Sequence, residues 1–404
     1  MYLQENFIKF TRGHVRQQNF IGSCPYYFKT TTDTDSLPLL EPTKESLWRK
    51  NLRKFKRSLA IFNCFVLWAQ LIHEIKSKSM VTAGTKLANY MFILTASTIT
   101  LQKWTTLKHA GNTIELFNLI IRFEDNYLMR VKACMLSKSY KLLIQICVLG
   151  LRFGSPFIVV GYVLERWMIP CNASTFGYLL LPECEEGFDE TENDWSLQSK
   201  LVLLSIVLTT LWMNIDSFGC WALQLEEFTF VQSICFWNYV KVFMIKINSD
   251  KNSSIDNYLV YRQLQIMNKY YNIIQQNVLL TSTLVLVTNG FVVCTYVMLS
   301  NGTNVTVLQI FMFLNGGLNC FLVILIQIGA MAKLCGESSR VILDLKKSVG
   351  QREMSGRKRK WIKSYLKSLT PLRVALGSTN FIDELTPINL LDFCVEQIVS
   401  LLLL

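Results

Sequence analysis

Seven long apolar segments punctuate this chain, and they constrain its fold more than any motif does. They run over 58–73, 81–101, 142–164, 201–222, 273–299, 305–334 and 387–404. About twenty consecutive apolar residues, rising about 1.5 Å each as a helix, cross a bilayer core of about 30 Å. Only 17% of the residues are charged while 51% are hydrophobic, so the chain is too poorly charged for an ordinary soluble domain. A bare peptide group finds no partner in lipid, so the segments predict helices. The alternating strands of a transmembrane barrel are absent. The expected fold is all-α: a polytopic membrane protein with seven transmembrane helices.

Flanking charge sets the expected orientation. Basic residues crowd 1–57, with Arg49, Lys50, Arg53, Lys54, Lys56 and Arg57 just before the first segment. They crowd again between Lys333 and Asp383, around the run Arg357, Lys358, Arg359, Lys360. The 165–198 loop is acidic. Lys and Arg accumulate on the cytosolic side, so the amino terminus is expected in the cytosol and the carboxyl terminus outside. The expected division is a cytosolic segment 1–57, six helices with their loops over 58–345, a basic cytosolic segment 346–386 and a final pore-type helix 387–404. Within the second region, 165–198 is read as an extracellular loop. The apolar and aromatic stretch 223–272 is read as a cytosolic helical extension, part of an anchor layer beneath the membrane. No cleavable leader is expected in 1–30, and the first span serves as the insertion signal. The last apolar run stops at Leu404, so a few residues are expected to follow it.

The acceptor sites Asn172, Asn301 and Asn304 fall in expected outside loops, where glycosylation is possible. Asn252 falls on the opposite side and runs against that trend. Most of the 12 cysteines lie in spans or cytosolic loops and behave as small apolar residues. Cys171 and Cys184 are the pair in an outside loop, where an oxidising compartment permits a disulfide. His14, His73 and His109 are isolated, so neither a metal nor any other cofactor is expected. A net charge of +12 would suggest nucleic acid in a soluble protein. Here the surplus sits where membrane topology requires it, so no nucleic-acid partner is expected. The 357–363 cluster can also meet anionic lipid headgroups.

Polar groups inside spans are costly and carry the functional expectations. Arg152 lies near the middle of the third span and Asp216 in the inner part of the fourth. In the last span Asn389, Asp392, Glu396 and Ser400 recur every three or four residues, one polar stripe on an otherwise apolar helix. Such a stripe suits the wall of a water-filled cation conduit. Pairing of either acid with Arg152 would neutralise its cost equally well, and the sequence leaves both options open. Aromatic residues in the outer halves of spans are ligand-pocket candidates: Tyr90, Phe157, Tyr162, Tyr296, Phe311 and Phe313. Gly316 and Gly317 either bend the sixth span beside a cavity or let helices pack closely.

The stretch Ser368–Gly377, then Asn380–Asp383, then Phe393–Leu402 resembles the carboxyl region of the arthropod gustatory receptor family, within the gustatory and odorant receptor superfamily of seven-helix chemoreceptors. The family's final-helix pattern is Thr-Tyr, five residues, then Gln-Phe. Gln397 holds the Gln position, Ile398 replaces Phe, and Leu390 and Leu391 stand in place of Thr-Tyr. The resemblance implies a plasma-membrane, ligand-gated, non-selective cation channel taking a small tastant or odorant. It also implies a homo- or heterotetramer of same-family subunits, with the last helices lining the pore. The rivals are a receptor coupled to intracellular signalling proteins and a transporter. The first predicts the opposite orientation, and the second predicts two related halves, which the sequence lacks. No catalytic constellation sits at a span mouth, so an enzyme is not expected.

Overall fold

A computed structural model describes residues 25–29, 39–43, 47–76, 83–128, 232–249, 255–300, 307–350 and 356–403, with scattered positions within 12–19 and 198–212. The third span, most of the fourth and the 165–197 loop lie outside the described residues. So do Arg152, Phe157, Tyr162, Cys171, Asn172, Cys184, Asp216, Asn301 and Asn304.

The described chain is an all-α polytopic membrane protein. Four helical stretches are long and apolar enough to cross a bilayer: Lys50–Ile72, Tyr258–Ser300, Phe313–Lys347 and Thr386–Leu403. The helices are α1 (Leu47–Lys76), α2 (Ala83–Lys108), α3 (Ala110–Phe123), α4 (Gln232–Ser249), α5 (Ile255–Ile274), α6 (Leu280–Ser300), α7 (Val307–Leu322), α8 (Gly329–Gly350), α9 (Gly356–Ser368) and α10 (Thr386–Leu403). Short π-helical turns follow α3 and join α5 to α6 and α7 to α8, at 124–128, 275–279 and 323–328. α1 starts within the segment read as an amino-terminal tail, so the basic run 49–57 is helical. α3 lies in a stretch read as a connecting loop.

The 43-residue stretch Tyr258–Ser300 rises about 65 Å, roughly twice a bilayer core. The surplus is the α5 half, which is buried among α3, α4, α8 and α9. Its core is aromatic: Phe236 and Phe243 of α4 meet Tyr271 and Tyr261 of α5, and Tyr239 packs against Phe236 and Phe123. Phe236 stands edge-on to Tyr271 at 5.7 Å, and Ser233 and Tyr271 share a hydroxyl hydrogen bond of 2.8 Å. Tyr239 donates to the Glu124 carboxylate, and burial pushes its hydroxyl pKa well up, keeping it a neutral donor.

The α6 half packs against α2, α7 and α10. Small residues let the backbones approach: a Cβ on Gly290 would stand 2.8 Å from Cys320 Sγ, and one on Gly316 or Gly317 would stand 3.3 Å from Cys294. Gln102 of α2 donates across to Ser282 and Thr283 at 3.1 and 2.9 Å, giving a polar link between apolar helices. Two antiparallel strands, β1 (Tyr26–Phe28) and β2 (Leu40–Pro42), clip onto α3. Asn118 holds Leu40 by both backbone groups, and Phe28 meets Phe117 edge-on.

Candidate functional site

α10 is shaped by its ends and by one narrow contact. Asp383 and Thr386 close a reciprocal cap: each side chain accepts the other's backbone N–H, at 2.9 and 3.0 Å. That pairing holds the Asp383 carboxyl below its usual pKa, the Thr386 hydroxyl first among the causes. Pro387 occupies the first turn, where a missing N–H costs nothing. From there Pro387, Leu390, Leu391, Cys394, Ile398 and Leu401 form the one face that is buried or half-buried, against α6 and the 323–328 turn. Cys394 and Ile398 sit at its centre.

Asn389, Asp392, Glu396 and Ser400 are all exposed. At about 100° per residue their stripe lies on the opposite side of the helix from Cys394 and Ile398, pointing away from the protein's own bundle. Ile388, Val395 and Val399 on one flank and Phe393 on the other are exposed too. Only 11% of this span is buried, against 56% of the most apolar 18-residue stretch within Tyr258–Ser300. An apolar helix this bare, with a polar seam on its far side, is complete only with lipid or protein on its flanks and water along the seam. Among the described residues no ion pair joins Asp392 or Glu396 to a cation.

The aromatic pocket candidates are spread over three helices. Tyr90 of α2 is half-buried and stands edge-on to Trp68 of α1 at 6.4 Å. Tyr296 of α6 is half-buried, as is Phe313 of α7, while Phe311 is exposed. Met91, next to Tyr90, reaches Gly290, so α2 and α6 meet close to these rings. Among the described residues no cluster of three or more His, Cys, Asp or Glu could hold a metal ion.

The sequence reading missed a set of residues beneath α10. The chain from Thr370 to Gly377, leading into the hairpin of β3 (Ala375–Leu376) and β4 (Asn380–Phe381), is strapped along α5 and α8 by side chains. Tyr261 and Gln265 donate to the Thr370 carbonyl at 3.1 and 2.8 Å. Asn268 and Asn272 donate to that of Arg373 at 3.0 and 2.8 Å. Asn272 also accepts from the Ala375 N–H at 3.0 Å, and Ser338 of α8 accepts from that of Leu372 at 2.9 Å. Leu372, Val374 and Ile382 are buried in the main core beneath. The available signal was polar residues at 265, 268, 272 and 276, three or four apart on a helix otherwise rich in apolar and aromatic residues.

No family profile and no curated protein sequence matches the chain. Solved structures do. The olfactory receptor OR5 of the insect Machilis hrabei superposes with a TM-score of 0.62 at 10% identity, over 98% of both chains. The same receptor in complex with eugenol gives 0.60 at 10% identity, over 98% of this chain and 97% of that one. At that identity the likeness fixes the fold: from end to end the chain is built like an insect olfactory receptor.

Proposed function

We propose that the chain is a subunit of a chemosensory, small-molecule-gated cation channel of the gustatory and odorant receptor superfamily, in the gustatory branch. The observation that carries this reading is the placement of Asn389, Asp392, Glu396 and Ser400 on the exposed side of α10, opposite its packed face. Four copies of α10 around a common axis would turn these stripes inward to a water-filled path, and ringed acids favour cations. The exposure of both acids supports pore lining over pairing with Arg152. Tyr90, Tyr296, Phe311 and Phe313, with Phe157 and Tyr162, remain the proposed wall of the ligand pocket. In this arrangement the amino terminus is cytosolic, the membrane is the plasma membrane, and Asn172, Asn301, Asn304 and the Cys171–Cys184 pair face outside. The fold-wide likeness to an olfactory receptor bound to eugenol supports a small organic ligand and argues against a transporter.

The test is calcium entry into cells expressing the full chain, challenged with sugars, bitter compounds and volatiles including eugenol. An active compound should drive an inward cation current. Changing Asp392→Asn and Glu396→Gln together should leave surface protein unchanged and lower the cation-over-anion permeability several-fold. Unaltered permeation in that double variant would remove the pore assignment. An epitope tag at the amino terminus, stained only after permeabilisation, separates this reading from a receptor of opposite orientation.

A further inference from the structure

The π-helical turn between α5 and α6 and the strap beneath α10 form a single device. In a continuous α-helix the Leu280 N–H would bond to the Gln276 carbonyl, four residues back. Instead it bonds to Gln275, five back, which leaves the Gln276 carbonyl without its helical partner. The N–H of Gly377 takes that carbonyl at 3.0 Å. Gly377 is the one described residue with a left-handed backbone, φ 64°, so the turn that delivers its N–H suits glycine. One turn down α5, Asn272 grips both sides of the same chain, donating to Arg373 and accepting from Ala375. Extra residues in a helix frequently mark a functional position, and here the bulge has a visible use: it frees a backbone acceptor for the strap.

From this clasp the path to α10 is short and stiff. The Ile382 N–H bonds back to Val374 at 2.9 Å, and Asp383 next to it caps α10 through Thr386. Glu384 lies against α8 at Gly336, where an added Cβ would overlap its carboxylate. α10 itself is the least buried of the four candidate spans, so its base is held more by the strap than by its own packing. The clasping bonds of Gln265 and Asn272 end on exposed residues, Thr370 and Arg373, where water can replace them. They are therefore reversible.

We infer that Asn272, together with the Gln276 carbonyl released by the helix bulge, is a positioning group that fixes the base of α10. Loosening this clasp lets the final helix leave its resting position and raises ligand-free conduction. The electrical part rests on the channel reading above; the mechanical part does not.

The test uses the full chain in cells, without ligand, in a background lacking other reactive surface cysteines. One set of variants loosens the clasp: Asn272→Ala, and Gln265→Ala with Asn268→Ala. A second, Asn272→Cys with Ala375→Cys, locks it when oxidised. Two quantities are read per surface molecule: basal cation current, and the rate at which a cationic methanethiosulfonate modifies an added Asn389→Cys. The loosened variants should raise both several-fold. Oxidation of the locked pair should lower both below the parent, and dithiothreitol should raise them to the level of Asn272→Ala, because the reduced pair lacks the Asn272 amide; a merely structural role would not show that reversal. Parental current and parental labelling in the loosened forms and in the locked form, oxidised or reduced, would overturn the clasp. Labelling that follows the clasp in a protein that never conducts would keep it and discard the channel. If the loosened variants fail to reach the surface, the reversible disulfide decides alone.

Discussion

Two stretches of this chain are both apolar enough to span a bilayer, yet they are built on opposite terms. Over Tyr258–Ser300, 56% of the most apolar 18-residue stretch is buried, several of its polar residues hold other parts of the chain, and its aromatic residues interlock with α4. Over Thr386–Leu403 the figure is 11%, and the polar residues point away from the bundle that holds the helix. Hydropathy alone does not separate the two. What separates them is what surrounds them: mostly the chain's own helices in the first, and whatever lies beyond the chain in the second. The first is scaffold. The second is a surface that the chain's own helices leave uncovered.

The comparison breaks most sharply at Tyr271 and Phe393. Tyr271 is fully buried, so Tyr271→Ala should cost about 3–5 kcal/mol and lower the thermal midpoint of the detergent-solubilised protein strongly. Phe393 is 48% exposed, so Phe393→Ala should stay within about 0.5 kcal/mol in the same detergent-solubilised protein. Equal losses at the two sites would erase the distinction between scaffold and surface. Gly290→Val comes next, because its Cβ would press on Cys320 where α6 meets α7. Overpacking of that kind costs about 1–3 kcal/mol, read from the same melting curve. An unchanged midpoint would show that the helices there are not in close contact.

Smaller still is the cap of α10. Asp383→Ala should cost about 1 kcal/mol, seen as faster proteolysis at the start of the helix. The carboxyl pKa is lowered in the folded protein, below the usual 3.8. Its contribution is thus fully present above that value and is lost as the pH falls through the lower, folded one. The gap between the parent and Asp383→Asn should therefore narrow on going from pH 6 to pH 3, and only slightly, because the group is exposed. A gap that widened on acidification would contradict the cap.

Much of this was legible in the sequence. The fifth and sixth apolar segments lie in helical spans, and the spacing of Asn389, Asp392, Glu396 and Ser400 defined a stripe that needs only helical geometry to exist. Local periodicity carries that much. The strap was not legible in the same way. Asn268 and Asn272 read as polar positions on a helix face, yet their partners are backbone groups about a hundred residues away along the chain. The bulge at 275–279 has no local cause in its residues, and its displaced carbonyl makes sense only once Gly377 occupies it. Ser368–Gly377 carried the resemblance to a chemoreceptor family, and the same residues make the strap. α3 and the β1–β2 clip were missed because Phe117, Ile121 and Tyr26 bury against each other rather than along one apolar run.

The central claim is that the polar face of α10 meets water and the opposite face meets protein. Cysteines placed singly from 388 to 401 in the full chain expressed in cells, and exposed to a charged thiol reagent, test it directly. Fast modification at 389, 392, 396 and 400, with slow modification at 390, 391, 394 and 398, is the predicted pattern. Fast modification at 394 and 398 instead, or a uniform rate along the helix, would contradict it.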